Sequence, residues 1–517
     1  MAFNLRSLLS CPIVRATSIS DAGFDGVLVI GNCVKAASEV PALQSVANEI
    51  VEYASLNKAV SSSAQLIPIG RSIIPGGRLI FSGTGPLHRD YDDVRRFSQA
   101  ATRGMQLALQ AGLRSPLLVT IPNANHPNAE FVAALGALMP SYTPLNVRIE
   151  ENKQHLEKIG LLSFNPNVEK LIAAMEEAFT VARDVGETDP QRMAPPRVAQ
   201  YIKEAFSSGK IKVEITTDQD VILKEYPLMA AVNRAANCVP EHQARLIRLE
   251  YNPEGKVEET LFFVGKGVTI DTGGCDLKVN GVMHGMCRDK FGSAVVAGIF
   301  KILELLQPKG VKVVGYMCMV RNSIGSNAYT CDEVITARSG KRIHIYNTDA
   351  EGRITMLDPL TRAKDEALNE TNPHLYTLAT LTGHAALSYG YYAAFMDNGP
   401  AKTAGTSLKI QEAGDHYGQP IEISRLHHDD YDFHNAEGQQ ADIRQGNTRP
   451  SVQTLRGHMG PAAFLIRASG IEAHGNDSEK PLKFTHVDMG SCCGDHPSTS
   501  TPNPLIALTA GLILPHL

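Results

Sequence analysis

Apolar residues along the chain fall into two alternating patterns. Short continuous runs predict buried strands: GVLVI at 26–30, AQLIPI at 64–69, RLIFSG at 78–83 and LLVTIP at 117–122. Between them, DDVRRFSQAATRGMQLALQAG places its apolar residues at helical spacing and stops at Gly112, which predicts a helix. Strands alternating with helices predict an α/β domain over 1–160. A helical stretch then runs from about Ser163 to Ala178. Pro190, Pro195 and Pro196 break the pattern after it, so 161–192 reads as a linker helix and connector. A second, larger α/β domain is predicted over 193–517. It opens with a helix near Pro196, followed by the strand TLFFVGKGVTID, the apolar helix SAVVAGIFKILELL and the strands VKVVGYMCMV, KRIHIYN and HLYTLATLTG. Such long apolar strands predict a sheet covered on both faces. The polar stretch 411–450 reads as exposed connecting structure.

Composition narrows the class. A chain of 517 residues, 20% charged and −5 in formal net charge, has the profile of a soluble globular protein with no basic excess for nucleic acid. No run of 18 apolar residues predicts a membrane span, and the opening MAFNLRSLLSCPIV is too weakly apolar for a secretory leader, so the cytoplasm is the expected compartment. The nine cysteines show neither disulfide-framework nor zinc-finger spacing, and a reducing compartment fits them. SGTGP at 82–86 lacks a phosphate-loop pattern and reads as a turn.

The chemistry concentrates in seven charged residues. Lys266, Asp271, Lys278 and Asp289 lie in one glycine-rich stretch, and Asp349, Glu351 and Arg353 follow about sixty residues later. Both groups fall just after predicted strands, where α/β sheets gather their sites. On an extended segment Asp349 and Glu351 point to one side, which lets both acids face one cavity. Like charges so gathered repel, and two divalent cations relieve that conflict. A lysine joins such a site as a ligand only when neutral. A salt-bridge network of surface charges is the rival reading. Neither HExxH nor GxSxG is present.

VGKGVTIDTGGCDLK, MHGMCRDKFGSA and NTDAEGR together resemble the signature of the leucyl aminopeptidase family of dimetal exopeptidases. The likeness continues through ATLTG at 379–383 and HVDMG at 486–490 and covers about 190–517. It implies a smaller N-terminal macro-like domain and a larger catalytic domain with a central mixed sheet flanked by helices. It also implies that Lys266, Asp271, Asp289 and Glu351 hold one metal, while Asp271, Asp349 and Glu351 hold the other. The ions would be Zn²⁺ or Mn²⁺, with Mg²⁺ a further option, and would activate a bridging water. Lys278 would polarise the scissile carbonyl of a peptide substrate, and Arg353 would hold a bicarbonate ion as the base. Thr380, Leu381 and Gly383 match the segment lining the family's substrate cleft, and relatives assemble as homohexamers of two trimers.

The chain departs from the family pattern in places. IDTGG stands where relatives have FDSGG, and His284 replaces an aspartate that is not a ligand, so it reads as a supporting or surface histidine. Met286 falls at a family pocket position, with a plain core methionine as the alternative. DMGSCCGDHPSTSTPNP replaces the usual segment after His486 and brings Met489 and Cys492 to the expected pocket, with Asp495 and His496 adding polarity. A leucine preference therefore does not follow. Two other readings stay open: a non-catalytic or regulatory scaffold that keeps the aminopeptidase fold with a closed substrate pocket, and a narrow-specificity dipeptidase.

Overall fold

The computed structural model describes residue 3 and residues 11–151, 154–163, 165 and 167–517. Most of the opening segment considered as a leader, and residues 164 and 166 in the expected linker helix, lie outside these.

Contacts divide the chain into two units. One comprises the described part of Ser7–Thr180 with Ala413–Gln419. The other holds Val181–Glu412 and Pro420–Leu517, together with Phe3. The division falls inside the helix Val168–Glu187, which continues nine residues beyond the predicted end at Ala178.

The smaller unit is built on a six-stranded sheet in the order Ile13–Arg15, Ile159–Leu161, Pro116–Thr120, Gly26–Gly31, Arg78–Gly83, Ala64–Pro68. All neighbours run parallel except the last pair, so the sheet is mixed. The predicted apolar runs become its inner strands because uninterrupted Val, Leu, Ile and Phe can be covered on both faces. The predicted helix forms at Arg95–Gln110 and buries Phe97, Ala100, Ala101, Gly104, Met105 and Ala108, one stripe at helical spacing.

The larger unit carries an eight-stranded sheet. Its order is Glu422–Ile423, Ala394–Asp397, Lys483–Asp488, Pro373–Ala379, Glu259–Asp271, Val311–Asn322, Arg245–Tyr251, Lys212–Thr216. The four middle strands, Lys483–Asp488 to Val311–Asn322, are parallel. Antiparallel strands flank them on both sides. Helix Phe291–Leu306 connects two of the parallel strands and is buried along nearly its whole length, as its all-round apolar sequence requires. It ends at Gln307, whose φ of 52° turns the chain out before Pro308. The new helix forms at Pro195–Ala205 with proline in its first turn, where the missing N–H costs nothing.

Three local expectations are overturned. KRIHIYN is not a strand of the main sheet: only Arg342–His344 is extended, in a separate three-stranded sheet with Val334–Thr336 and Ile443–Arg444. Asp349 lies in a turn and Glu351 opens the helix Glu351–Ala367, so the two acids are brought together by a turn-to-helix junction and not by strand alternation. The polar stretch 411–450 is not simply exposed either, since His434 and Gln445 within it are fully buried.

His486 sits on Lys483–Asp488, and its Nδ1 lies 2.7 Å from Thr377 Oγ1 on the neighbouring strand. Burial, with help from Arg353 and His458, holds its pKa down to about 3. Above the unfolded value of 6.5 both states are neutral. Below it, the unfolded chain takes up a proton that the native chain refuses, so stability falls as pH drops from about 6.5 toward 3. The loss approaches about 1.4 kcal/mol per pH unit. Urea unfolding between pH 6 and pH 4 should therefore show a shallower acid decline for His486→Gln than for the native chain. Identical slopes would refute the assignment.

Candidate metal centre

The centre forms where the parallel strands end. The strand Pro373–Ala379 pairs with Glu259–Asp271 only as far as Leu378 opposite Gly265. Lys266 is the next residue, so its side chain emerges at the carboxyl edge, where Asp271 closes the strand. The Lys266 stem runs against helix Glu351–Ala367 at Gly352, where an added Cβ would come within 2.7 Å of Lys266 Cδ and Cε. After Asp271 the chain reverses at Gly273, with φ 86° and space for no side chain, since a Cβ there would meet Asp276 O at 2.3 Å. That reversal returns Lys278 to the acids. Asp289 arrives from the turn before helix Phe291–Leu306, and Glu351 from the first residue of its own helix.

Asp271, Asp289 and Glu351 are all buried, and each offers an oxygen within 4.8 Å of the others. Lys266 Nζ lies 2.8 Å from Asp289 Oδ1 and 2.7 Å from Glu351 Oε1, and it donates to Thr380 O at 2.9 Å. Lys278 Nζ lies 3.0 Å from Asp271 Oδ2 and 2.5 Å from Asp349 Oδ1. Each lysine thus stands as a cation between two carboxylates. Burial opposes the charge on Lys266, but Asp289, Glu351 and Asp271 outweigh it and raise its pKa. Burial likewise opposes Lys278, which Asp271, Asp349 and Glu351 carry upward. Burial and the neighbouring acids push Asp349 up to about 7, and Asp289 and Glu351 are raised for the same reasons. Even with both lysines present, the acids are under-compensated. Asp289 Oδ2 and Glu351 Oε2 are buried without a hydrogen-bond partner among the described residues. Oxygens left free in this way fit the donor set of a hard or borderline divalent cation, and Lys266 would join them only once a bound dication displaced its proton.

A cavity of about 760 Å³ opens over the centre. Its wall includes Lys266, Asp271, Lys278, Asp289, Asp349, Glu351 and Arg353, so all seven charged candidates converge. Met286, Thr380, Leu381 and Gly383 line it too. Met489 and Cys492 do not. Both are fully buried: the Met489 N–H donates to Ala379 O at 2.7 Å, and the Cys492 thiol donates to Asn503 O at 3.3 Å. The unusual segment meets the cavity instead through Gly490, Ser491 and Cys493–His496. The apolar Met489 and Cys492 turn inward, and the polar and small residues between and after them face the opening.

Several supporting residues escaped the sequence reading. Asn322 closes the adjacent parallel strand in register with Asp271 and donates to Asp271 Oδ1 at 2.8 Å. Gln445 is the larger omission. Its amide oxygen accepts the N–H groups of Tyr346 and Asn347, both at 3.1 Å. Its amide nitrogen donates to Asn347 O at 2.8 Å and Ala350 O at 2.9 Å. The turn carrying Asp349 is therefore held by one buried amide, while the Gln445 carbonyl accepts from Arg353 Nη1 at 3.1 Å. A glutamine in a polar run carries no periodic signal; only its pairing across 98 residues gives it meaning.

The catalytic domain of the cytosol aminopeptidase family matches residues 180–506. A Caenorhabditis elegans protein that bears an inferred aminopeptidase name is 63% identical over 521 residues, covering 99% of this chain and all of that one. A Helicobacter hepaticus protein named by inference as a cytosol aminopeptidase is 33% identical over 269 residues, 51% of this chain and 54% of its own. Among solved structures, leucyl aminopeptidase from Trypanosoma brucei bound to bestatin superposes with a TM-score of 0.80 at 19% identity. That match covers 97% of this chain and 95% of the other. The bottromycin maturation enzyme BotP in complex with Mn gives 0.76 at 19%, covering 94% and 98%. These two share the fold. The extent of the family match and the identity along the whole nematode sequence decide the rest: the chain belongs to the cytosol aminopeptidase family and is a dimetal-dependent hydrolase of the aminopeptidase type.

Proposed function

We propose that the chain removes N-terminal residues from peptides, with Lys266, Asp271, Asp289 and Glu351 holding one divalent ion and Asp271, Asp349 and Glu351 the other. The observation that carries this reading is the pair of buried, partnerless carboxylate oxygens at the head of an open cavity. The opening also argues against the closed-pocket scaffold. When bound, the two ions supply an acidified water and an anchor for the free α-amine, and bicarbonate supplies the proton transfer. Lys278, a half-buried ammonium on the cavity wall, donates to the scissile carbonyl oxygen and stabilises the charge that develops there. Arg353 remains cationic: burial lowers its pKa only to about 10. It therefore cannot serve as the base itself, but it suits an anion, and its buried Nε has no hydrogen-bond partner among the described residues. Met286, Thr380, Leu381 and Gly383 shape the cleft around the peptide.

Zinc and manganese are the favoured ions, with magnesium a third choice; the Mn named in the BotP structure supports manganese. The family resemblance supports a cytoplasmic homohexamer. No helix among the described residues is long and apolar enough to cross a membrane.

Purified chain loaded with Mn²⁺ or Zn²⁺ should hydrolyse members of a panel of aminoacyl amides and dipeptides; a single active dipeptide would favour the narrow dipeptidase. Two ions bound with no hydrolysis anywhere in the panel would sink the reading. Lys278→Ala should keep both metals and lose roughly 10²–10³-fold in kcat, and unchanged turnover would refute its role. Glu351→Ala should lose metal from both positions. Full occupancy by mass spectrometry or atomic absorption would overturn that assignment.

A further inference from the structure

A second cavity of about 380 Å³ lies in the larger unit on the other side of the wall formed by His284, Gly285 and His496. Its lining is chemically unusual: a thiol, two imidazoles and two carboxylates, from Cys287, His284, His496, Glu187 and Asp189. The His-Gly-Met-Cys run supplies two of these. Gly285, with φ 88°, reverses the chain between His284 and Cys287 so that both face this space. His496 closes over the same glycine, its Cβ 3.5 Å from where a Gly285 side chain would begin.

We propose that Cys287, His284 and His496 form a binding site for a single borderline transition-metal ion of the zinc class, separate from the catalytic pair. Cys287 Sγ and His496 Nδ1 are 3.9 Å apart. A tetrahedral ion holding sulfur at about 2.3 Å and nitrogen at about 2.0 Å separates them by about 3.5 Å, so this pair needs only a small closure. The His284 ring stands 5.2 Å from the His496 ring, centroid to centroid, at 61°. His284 is exposed, and its ring nitrogen becomes the third ligand only when the side chain turns toward the pair. Burial and the nearby cations hold the His496 pKa below its ordinary value, leaving its nitrogen unprotonated and available. Coordination releases the Cys287 thiol proton to solvent and leaves a thiolate on the metal.

The charges around the cavity are paired. Arg288 is tied to the carbonyls of Gly494 and Ser498 and lies 3.8 Å from Glu187, while Lys290 is tied to the carbonyls of Thr188 and Cys287. Glu187 also accepts the Ser500 N–H, and Asp189 lies 3.2 Å from Arg192. Because His284 and His496 also line the larger cavity, an ion here would fix the position of that wall.

Cobalt titration of the metal-stripped full-length chain, under reducing conditions, tests the site. A third equivalent should bind beyond the catalytic pair and bring a near-ultraviolet sulfur-to-cobalt charge-transfer band. Cys287→Ser should abolish the band while two equivalents remain. His496→Asn and His284→Ala should each weaken the third site at least roughly tenfold, and they carry the test should the cysteine variant fail to fold. Absence of a sulfur band in the native chain would overturn the proposal. So would a band that survives in folded Cys287→Ser, since exposed Cys275 or half-buried Cys331 would then be its source.

Discussion

The repulsion among three buried carboxylates organises the larger unit. Asp271, Asp289 and Glu351 come from a strand end, a turn and a helix start, and nothing in local backbone preference brings such groups together. Burying even one unpaired carboxylate costs several kcal/mol by order of magnitude, and each additional like charge adds to it. Lys266 and Lys278 relieve part of this cost, each standing between two acids, and divalent ions relieve the rest. The parallel middle of the sheet, the close contact at Gly352 and the reversal at Gly273 are the means by which the chain sustains an arrangement that its charges oppose.

Much of this was legible in the sequence because periodicity and strand ends are local signals. The strands at 26–31, 78–83, 259–271 and 311–322 announce themselves as apolar runs, and Lys266 and Asp271 sit within the third of them. Lys278, Asp289, Asp349, Glu351 and Arg353 were readable from their clustering in charged, glycine-rich segments, and all seven line one cavity. The errors arose where register, not composition, decides. KRIHIYN looks like a strand, yet only three residues pair, and Glu351 takes its direction from a helix. Met489 and Cys492 stand in a segment that does reach the cavity, but single-residue orientation within a loop has no period to read.

The polar stretch 411–450 shows the same limit from the other side. Its composition is that of a surface connection, and Asp429, Asp430, Gly446, Asn447 and Arg449 face the cavity opening. Yet His434 and Gln445 are fully buried because each finds backbone partners inside. Buried polar residues obey satisfaction of hydrogen bonds, and partners distant in sequence leave no trace in a local window.

Gln445 gives that burial a dynamic meaning. One side-chain amide uses all of its hydrogen-bonding capacity to hold the turn of Asp349, and its own backbone carbonyl holds Arg353. Local opening of the 443–447 segment therefore cannot leave the rest of the centre undisturbed. The same fluctuation that frees the cavity edge also releases the Asp349 turn and unseats the guanidinium. The lifetime of a metal ion in the centre and the protection of the Gln445-bonded amides from solvent exchange are, on this account, two readings of one opening event.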